Sequence, residues 1–304
     1  YGFFNGNLQD FIYKKNFLKL NTPFKILELF IVRVFFSIAS IRTFFLVKKK
    51  VDVTDKWIDQ NTFFNHKINF ENIFNTFSEK GISVIGKLDD SFLKKLTEEI
   101  FPKVINYNSN DEFFRNLINQ ENESKGRIII RPNNTNENIK KLFESELIQN
   151  TSKYYLGTKD ITYSSNVFIS YNYKEATTAD LNSNALAYHS DCRYRRFFKV
   201  FIYLNDVVSF NGPHCFVKTS HRNKHNYFNG LLRVYSNEEV SKYYQDEIVS
   251  IEGNAGHLFL EDTFGLHKGS IIKKGYRIVL VLEIGVGKIR FHENDIFKKN
   301  LISN

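Results

Sequence analysis

His189 and Asp191 stand one residue apart in AYHSDC (187–192), just ahead of the apolar run FFKVFIYL (197–204). Imidazole and carboxylate are common ligands for divalent metals. In an extended chain, residues i and i+2 project to one side, so both groups can address a single point while Ser190 faces away. One such pair arises by chance on many surfaces. A second histidine, His267 in LEDTFGLHKGS (260–270), ends another strand-like run. Two imidazoles and one carboxylate on one face of a six-coordinate ion leave three positions open, the arrangement that suits Fe(II) oxygen chemistry.

Arg277 opens the last strong strand pattern, RIVLVLEIG (277–285). A return of the chain from His267 through KGSIIKKGY would bring it beside such a metal. There its guanidinium could hold the far end of a dicarboxylate through paired hydrogen bonds.

These residues need a frame. From 69 to 157 the pattern is mainly helical. Asp89-Asp90-Ser91 starts one helix before FLKKLTEEIF, Ser109 and Glu112 form a capping box ahead of FFRNLINQ, and Gly157 is a stop. Short β-like runs, GISVIG (81–86) and RIIIRP (127–132), interrupt the helices. From 161 onward, ITYSSNVFISYNY, KVFIYLNDV, HCFVK, EIVSIEG, GHLFLED and YRIVLVLEIGV are short runs of β-branched and aromatic residues parted by turn residues. This order predicts a mainly β protein with flanking helices, a double-stranded β-helix (jelly-roll, cupin-like) core covered by N-terminal helices. The expected division is 1–125 as a mostly helical portion, 126–292 as the core and 293–304 as a tail. Residues 221–247 interrupt the strand series and read as a loop or lid.

Composition narrows the class further. A 304-residue chain that is 42% hydrophobic and 25% charged can bury a sizeable core. Two cysteines, Cys192 and Cys215, rule out a disulfide framework and favour a reducing compartment, the cytoplasm. The net charge of +9 comes without a basic stripe interleaved with aromatics, so no nucleic-acid partner is expected. The apolar stretch 26–47 carries Glu28, Arg33 and Arg42. Each would cost about 2.5–3.5 kcal/mol at a bilayer centre, which argues against a spanning helix. A helix buried on the domain is the favoured reading, with peripheral contact at an anionic membrane, helped by Lys48, Lys49 and Lys50, left open.

Taken together, His189-Ser190-Asp191, FIYLNDV, GPHCFVKTSHR (212–222), GHLFLEDTFGLHKGS and GYRIVLVLEIG resemble, in order and spacing over about 160–290, the phytanoyl-CoA dioxygenase family of Fe(II)/2-oxoglutarate oxygenases. The resemblance implies His189, Asp191 and His267 as ligands of Fe(II), and Arg277 as the partner of the 2-oxoglutarate C5 carboxylate. It also places Tyr203 and Ser270 at the cosubstrate pocket, although a strand tyrosine is equally at home in the core. The implied reaction consumes dioxygen and 2-oxoglutarate and hydroxylates a C–H of a small-molecule, lipid or glycan-type substrate, with release of succinate and CO2. Asp191 argues against halogenation, where related enzymes lack the carboxylate. Nucleic-acid repair oxygenases also use His-x-Asp, but their second arginine-rich signature is missing. The rival from another class is a non-catalytic jelly roll that binds a ligand or partner. Thr219 departs from the family, many of whose members have a turn glycine there. Of the remaining candidates, His221 reads as a turn residue, His214 and His257 as strand or turn residues, Cys192 as packing and Arg131 as a surface cation.

Overall fold

The computed structural model describes residues 57–58, 63–64, 67–102, 111–120, 126–132, 136–158, 160–174, 177–191, 194–229, 234–288 and 297–299. The 26–47 segment, Ser109 of the expected capping box and Cys192 lie outside them. Among the described residues no helix is long and apolar enough to cross a membrane.

A short β1 (Trp57–Ile58) pairs with β2 (Ile68–Asn69) and leads into helix α1 (Phe70–Lys80). Phe70, Ile73, Phe74 and Phe77 recur at helical spacing and form its buried face. Gly81 ends the helix at φ 79, and its N–H donates to the Phe77 carbonyl at 2.8 Å. β3 (Ile82–Lys87) follows, then α2 (Asp90–Ile100), whose N-cap Asp89 accepts from the Ser91 and Phe92 amides. Such a cap contributes about 1 kcal/mol. Next come α3 (Asp111–Gln120), β4 (Arg127–Ile130), α4 (Glu137–Glu144), α5 (Glu146–Thr151) and a π-helical turn, Ser152–Leu156, stopped by Gly157 at φ 71.

The β-rich half contains β5 (Ile161–Tyr171), a short α6 (Thr178–Ser183), β6 (Tyr194–Tyr203), β7 (His214–Val217), α7 (Asn237–Tyr244), β8 (Ile248–Ile251), β9 (His257–Glu261), β10 (His267–Gly269), β11 (Tyr276–Lys288) and β12 (Phe297–Lys299). Among the described residues they form two antiparallel sheets, one of seven strands in the order β12-β5-β11-β6-β9-β3 with β4 also on β5, and one of three in the order β10-β7-β8. This is the expected jelly-roll type of core with flanking helices. One edge of the larger sheet is β3, from the N-terminal stretch.

Alternation along the strands separates two cores. Ile169, Ile278, Leu280, Phe198, Val200 and Leu258 face the helices and pack with α1, α2, α4 and α5. On the other face Phe201, Tyr203, Phe259, Val279 and Val281 pack with Phe216 and Ile251 of the smaller sheet. The inner layer holds the site, so the helices stiffen the large sheet from behind.

The 221–247 segment differs from the expected lid. Phe228, Tyr235, Val240 and Tyr244 from it are buried with Tyr188, Val217 and Leu266. Four apolar anchors fix it as part of the wall.

Thr219 takes φ 65, the left-handed conformation that favours glycine. The residue is strained but its backbone is tied on both sides: its N–H donates to the Lys80 carbonyl at 2.8 Å, and its own carbonyl accepts from Arg222 and Asn223. A β-branched residue there costs on the order of 1 kcal/mol or more. Thr219→Gly should accordingly stabilise the protein by about 1 kcal/mol in urea unfolding, less the small entropic cost of glycine; a loss of stability would disprove strain at this turn.

Candidate metal centre

The segment carrying His189 and Asp191 is held by isolated bridges and does not form the regular strand expected. Tyr188 bridges to Tyr235 and His189 to His267. His189 N–H donates to the His267 carbonyl at 3.0 Å, the reverse bond is also 3.0 Å, and Asp191 N–H donates to the Thr263 carbonyl at 2.8 Å. Residues directly opposite in an antiparallel bridge share a face, so the two imidazoles must lie side by side. Their ring centroids are 4.3 Å apart.

The turn between β9 and β10 is fixed from several sides. Asp262 N–H donates to the Gly81 carbonyl at 2.8 Å, which ties the turn to the end of α1, and Leu266 N–H donates to Ser220 Oγ at 2.8 Å. A Cβ on Gly265 would stand 2.5 Å from the Phe216 ring. Only glycine lets that ring close over the turn.

Each imidazole has one nitrogen committed. His189 Nδ1 lies 3.0 Å from the Ala187 carbonyl and His267 Nδ1 3.0 Å from the Gly265 carbonyl. Donation there makes Nδ1 the protonated nitrogen and leaves Nε2 as a lone pair. His267 Nε2 lies 3.5 Å from Asp191 Oδ2, and one ligand atom from each of His189, Asp191 and His267 falls within 4.8 Å of the others. Burial, with His189 adjacent, holds His267 down to about 3. Burial also lowers His189, against the pull of Asp191. Neutral imidazoles beside a carboxyl group fit a divalent first-row metal.

Residues that sequence reasoning missed surround this set. Lys199 Nζ, from β6, lies 2.7 Å from Asp191 Oδ2 and 3.3 Å from Glu283 Oε2, and so holds the carboxylate in place. Lys224 is buried and donates to Ser190 Oγ at 2.7 Å and to the Phe264 carbonyl at 2.6 Å. It stitches the residue between the two ligands to the β9–β10 turn. Behind His267, Glu261 is fully buried, with His214 Nε2 at 2.7 Å and His267 Nδ1 at 4.0 Å. Burial raises Glu261 well above the carboxylate range and lowers His214 well below the imidazole range, so the pair sits neutral. His214 is the strand residue expected, and it lines the back of the site.

The expected cosubstrate residues gather at one end of the inner layer. β10 and β11 belong to different sheets, so the chain leaving His267 crosses the sandwich and does not return as a hairpin. The crossing brings the Arg277 guanidinium against Gly269, where an added Cβ would sit 2.6 Å from Nη2. Arg277 is buried, donates through Nη1 to the Gly212 carbonyl, and has an Nε without a partner. Tyr203 is buried nearby, but its hydroxyl donates to the Ile251 carbonyl at 2.8 Å and accepts from His214 N–H at 3.1 Å. Ser270 Oγ lies 3.1 Å from Cys215 Sγ. His221 is a buried turn residue, its Nε2 3.3 Å from the Ser78 carbonyl, His257 opens β9 and Arg131 is exposed.

No family model matches the sequence, and neither does any curated protein. Among solved structures, the chain is similar to AviO1 from Streptomyces viridochromogenes Tue57, with 13% identity over 71% of this chain and 94% of that one, at a TM-score of 0.49. It is also similar to the non-heme monooxygenase ThoJ in its nickel complex (13% identity, 75% and 84% covered, TM-score 0.47). A third is HygX from Streptomyces hygroscopicus with nickel and 2-oxoglutarate bound (12%, 70% and 86%, TM-score 0.46).

The neutral interior sets a pH dependence. Below an imidazole's ordinary value near 6.5, the unfolded chain takes up protons at His214 and His267 that the folded chain refuses, so stability falls as pH falls. Glu261 acts oppositely, since the folded state keeps its proton where the unfolded carboxylate has lost it. Together these three groups leave a net uptake of about one proton on unfolding, and His189 and His257, lowered in the same sense, add to it, so the slope is at least about 1.4 kcal/mol per pH unit between about pH 6 and pH 5. Urea unfolding of metal-free protein should show that slope, and His214→Gln should flatten it; an unchanged slope would mean that His214 titrates normally.

Proposed function

We propose that the protein is an Fe(II)/2-oxoglutarate-dependent oxygenase that hydroxylates a C–H bond of a small-molecule substrate, of lipid or glycan type included. The observation that carries this reading is the convergence of His189, Asp191 and His267, with both imidazoles neutral and turned toward the carboxylate. Fe(II) and 2-oxoglutarate bound there supply the oxidising power: dioxygen and 2-oxoglutarate become succinate and CO2, and one oxygen atom enters the substrate C–H.

The chain's own residues bind, orient and exclude. His189, Asp191 and His267 would hold the metal, which with only these three protein ligands could also take cosubstrate and dioxygen. Lys199 keeps Asp191 turned inward. Arg277, deep in the sandwich with no carboxylate partner among the described residues, takes the distal carboxylate of 2-oxoglutarate, and Gly269 gives its guanidinium room. Tyr203 and Ser270 line the same end. With its hydroxyl bound to backbone on both sides, Tyr203 contributes shape and dryness there. Phe201, Phe259 and Phe216 keep water away, which strengthens every charge interaction in the site.

Anaerobic addition of Fe(II) and 2-oxoglutarate should produce a weak visible charge-transfer band in the wild-type protein. His189→Ala, Asp191→Ala and His267→Ala should each abolish it. Absence of the band in wild-type protein would favour the non-catalytic binding reading instead. Arg277→Ala should still bind iron but need at least about tenfold more 2-oxoglutarate, the loss expected for a buried charged hydrogen-bond pair; unchanged dependence would remove Arg277 from the cosubstrate site.

A further inference from the structure

The inner face of the large sheet carries a second arginine that the reaction above does not use. Arg127 of β4 pairs in register with Ser170 of β5, and Ser170 pairs with Arg277 of β11. Side chains in register across antiparallel strands project to one face, so Arg127, Ser170 and Arg277 form a row inside the sandwich. Three buried polar atoms in that row have no hydrogen-bond partner: Arg127 Nε, Ser170 Oγ and Arg277 Nε. Among the described residues no carboxylate pairs with either guanidinium. A buried cation left unpaired is costly, and two adjacent ones repel each other. Burial, and then Arg277, lower Arg127 to about 9. The arrangement is complementary to anionic oxygen atoms that the folded chain does not itself provide.

Two places in the row call for anions of different origin. Arg277 is buried and serves the distal carboxylate of 2-oxoglutarate, whose other carboxylate goes to the metal. Both charges of the cosubstrate are then taken. Arg127 lies on the edge strand β4, half-buried, with its guanidinium 5.1 Å from the centre of the Phe168 ring. Ile129, next along the same face, is 53% exposed, so this margin of the site is open to solvent. Arg127 and Ile129 stand two residues apart on β4 and share its inward face, so a molecule resting on Ile129 has the Arg127 guanidinium beside it.

We propose that Arg127 is a substrate-recognition residue that binds a carboxylate, phosphate or sulfate group on the molecule to be oxidised, so that the substrate class is anionic. This deepens the oxygenase reading and rests on it for the place of the cosubstrate. Planar N–H pairs suit all three oxyanions, and the Phe168 face supports the guanidinium from one side.

The test uses the full chain loaded with Zn(II) and 2-oxoglutarate, in which no turnover occurs, and inorganic phosphate as the probe. Calorimetry should show phosphate binding in the millimolar range to wild-type protein and at least tenfold weaker binding to Arg127→Gln. The 2-oxoglutarate affinity of Arg127→Gln should stay within about threefold of wild type, whereas Arg277→Gln should lose tenfold or more. No phosphate binding to loaded wild-type protein would overturn the proposal. So would a loss of 2-oxoglutarate affinity in Arg127→Gln as large as that in Arg277→Gln, since Arg127 would then belong to the cosubstrate. The melting temperature of ligand-free Arg127→Gln should equal or exceed that of wild type, because an unpaired buried charge has been removed; a marked fall would make Arg127 a structural brace and overturn the assignment. If Zn(II) fails to bind at all, the oxygenase reading fails by itself. Phosphate titration of metal-free protein still reads Arg127, with one of two anion sites lost in Arg127→Gln and both kept if the inference is wrong.

Discussion

Two backbone hydrogen bonds, exchanged between His189 and His267, decide whether this molecule has a site at all. Each is 3.0 Å long, and together they form one antiparallel bridge outside any regular strand of the first partner. A bridge of this kind forces both side chains onto one face with no further adjustment. A slip of one residue would turn one imidazole away and bring Lys268 or Ser190 into its place. Much of the surrounding structure defends that register. The Asp191 amide is anchored on Thr263, Lys224 binds Ser190 and the Phe264 carbonyl, and Tyr188 is bridged to Tyr235 just upstream.

The anchors reach back to the first described helix. The end of α1 offers the Gly81 carbonyl to Asp262 and the Lys80 carbonyl to Thr219, so one helix terminus fixes the turns after both β9 and β7. A Cβ on Gly81 would collide with His221 Nδ1 at 2.5 Å, which explains why the helix stops on glycine there and why His221 is buried beneath it. The strained Thr219 turn persists because its backbone is hydrogen-bonded on both sides. Helix α1 therefore does more than cover an apolar sheet face; its end holds the turns that lead to His267 and to the 221–247 wall.

His189 and Asp191 were legible in the sequence because the chelating pair is local, two residues apart. His267 and Arg277 could be named only through the order of several motifs, since nothing near either residue specifies its partner. Lys199, Lys224, Glu261 and Arg127 were not legible. Lys199 and Arg127 sit in strands whose alternation reads like any other, and their roles come from register: Lys199 pairs with Glu261 on one side and Glu283 on the other, and Arg127 reaches Arg277 across Ser170. Lys224 lies in a polar stretch that read as a loop, and only packing shows the ammonium to be buried. RIIIRP drew attention to its second arginine, Arg131, which is exposed, while the first faces inward. Period-two alternation gives one face to residues an even number apart and would put Arg131 with Arg127, but Arg131 lies beyond the end of β4, where that rule no longer binds it.

Register also explains the charge layout of the inner layer. At one end Lys199 stands between Glu283 and the neutral Glu261 and turns toward Asp191, so the Asp191 carboxylate has a cation of the chain itself beside it. Aromatic rows follow, with Phe201 stacked on Phe259 at 5.0 Å and Tyr203 edge-on to Phe259. At the far end the Arg127–Ser170–Arg277 row is uncompensated. A fold selected for stability alone would pair or replace those guanidiniums, because apolar substitutes of similar volume are often better tolerated than buried charge. The metal end needs one carboxylate held still, and a neighbouring lysine does that without a ligand present. The arginine end has no such compensation within the described chain, and on the proposed reading occupancy by anionic cosubstrate and substrate becomes part of what settles the electrostatics of the folded protein.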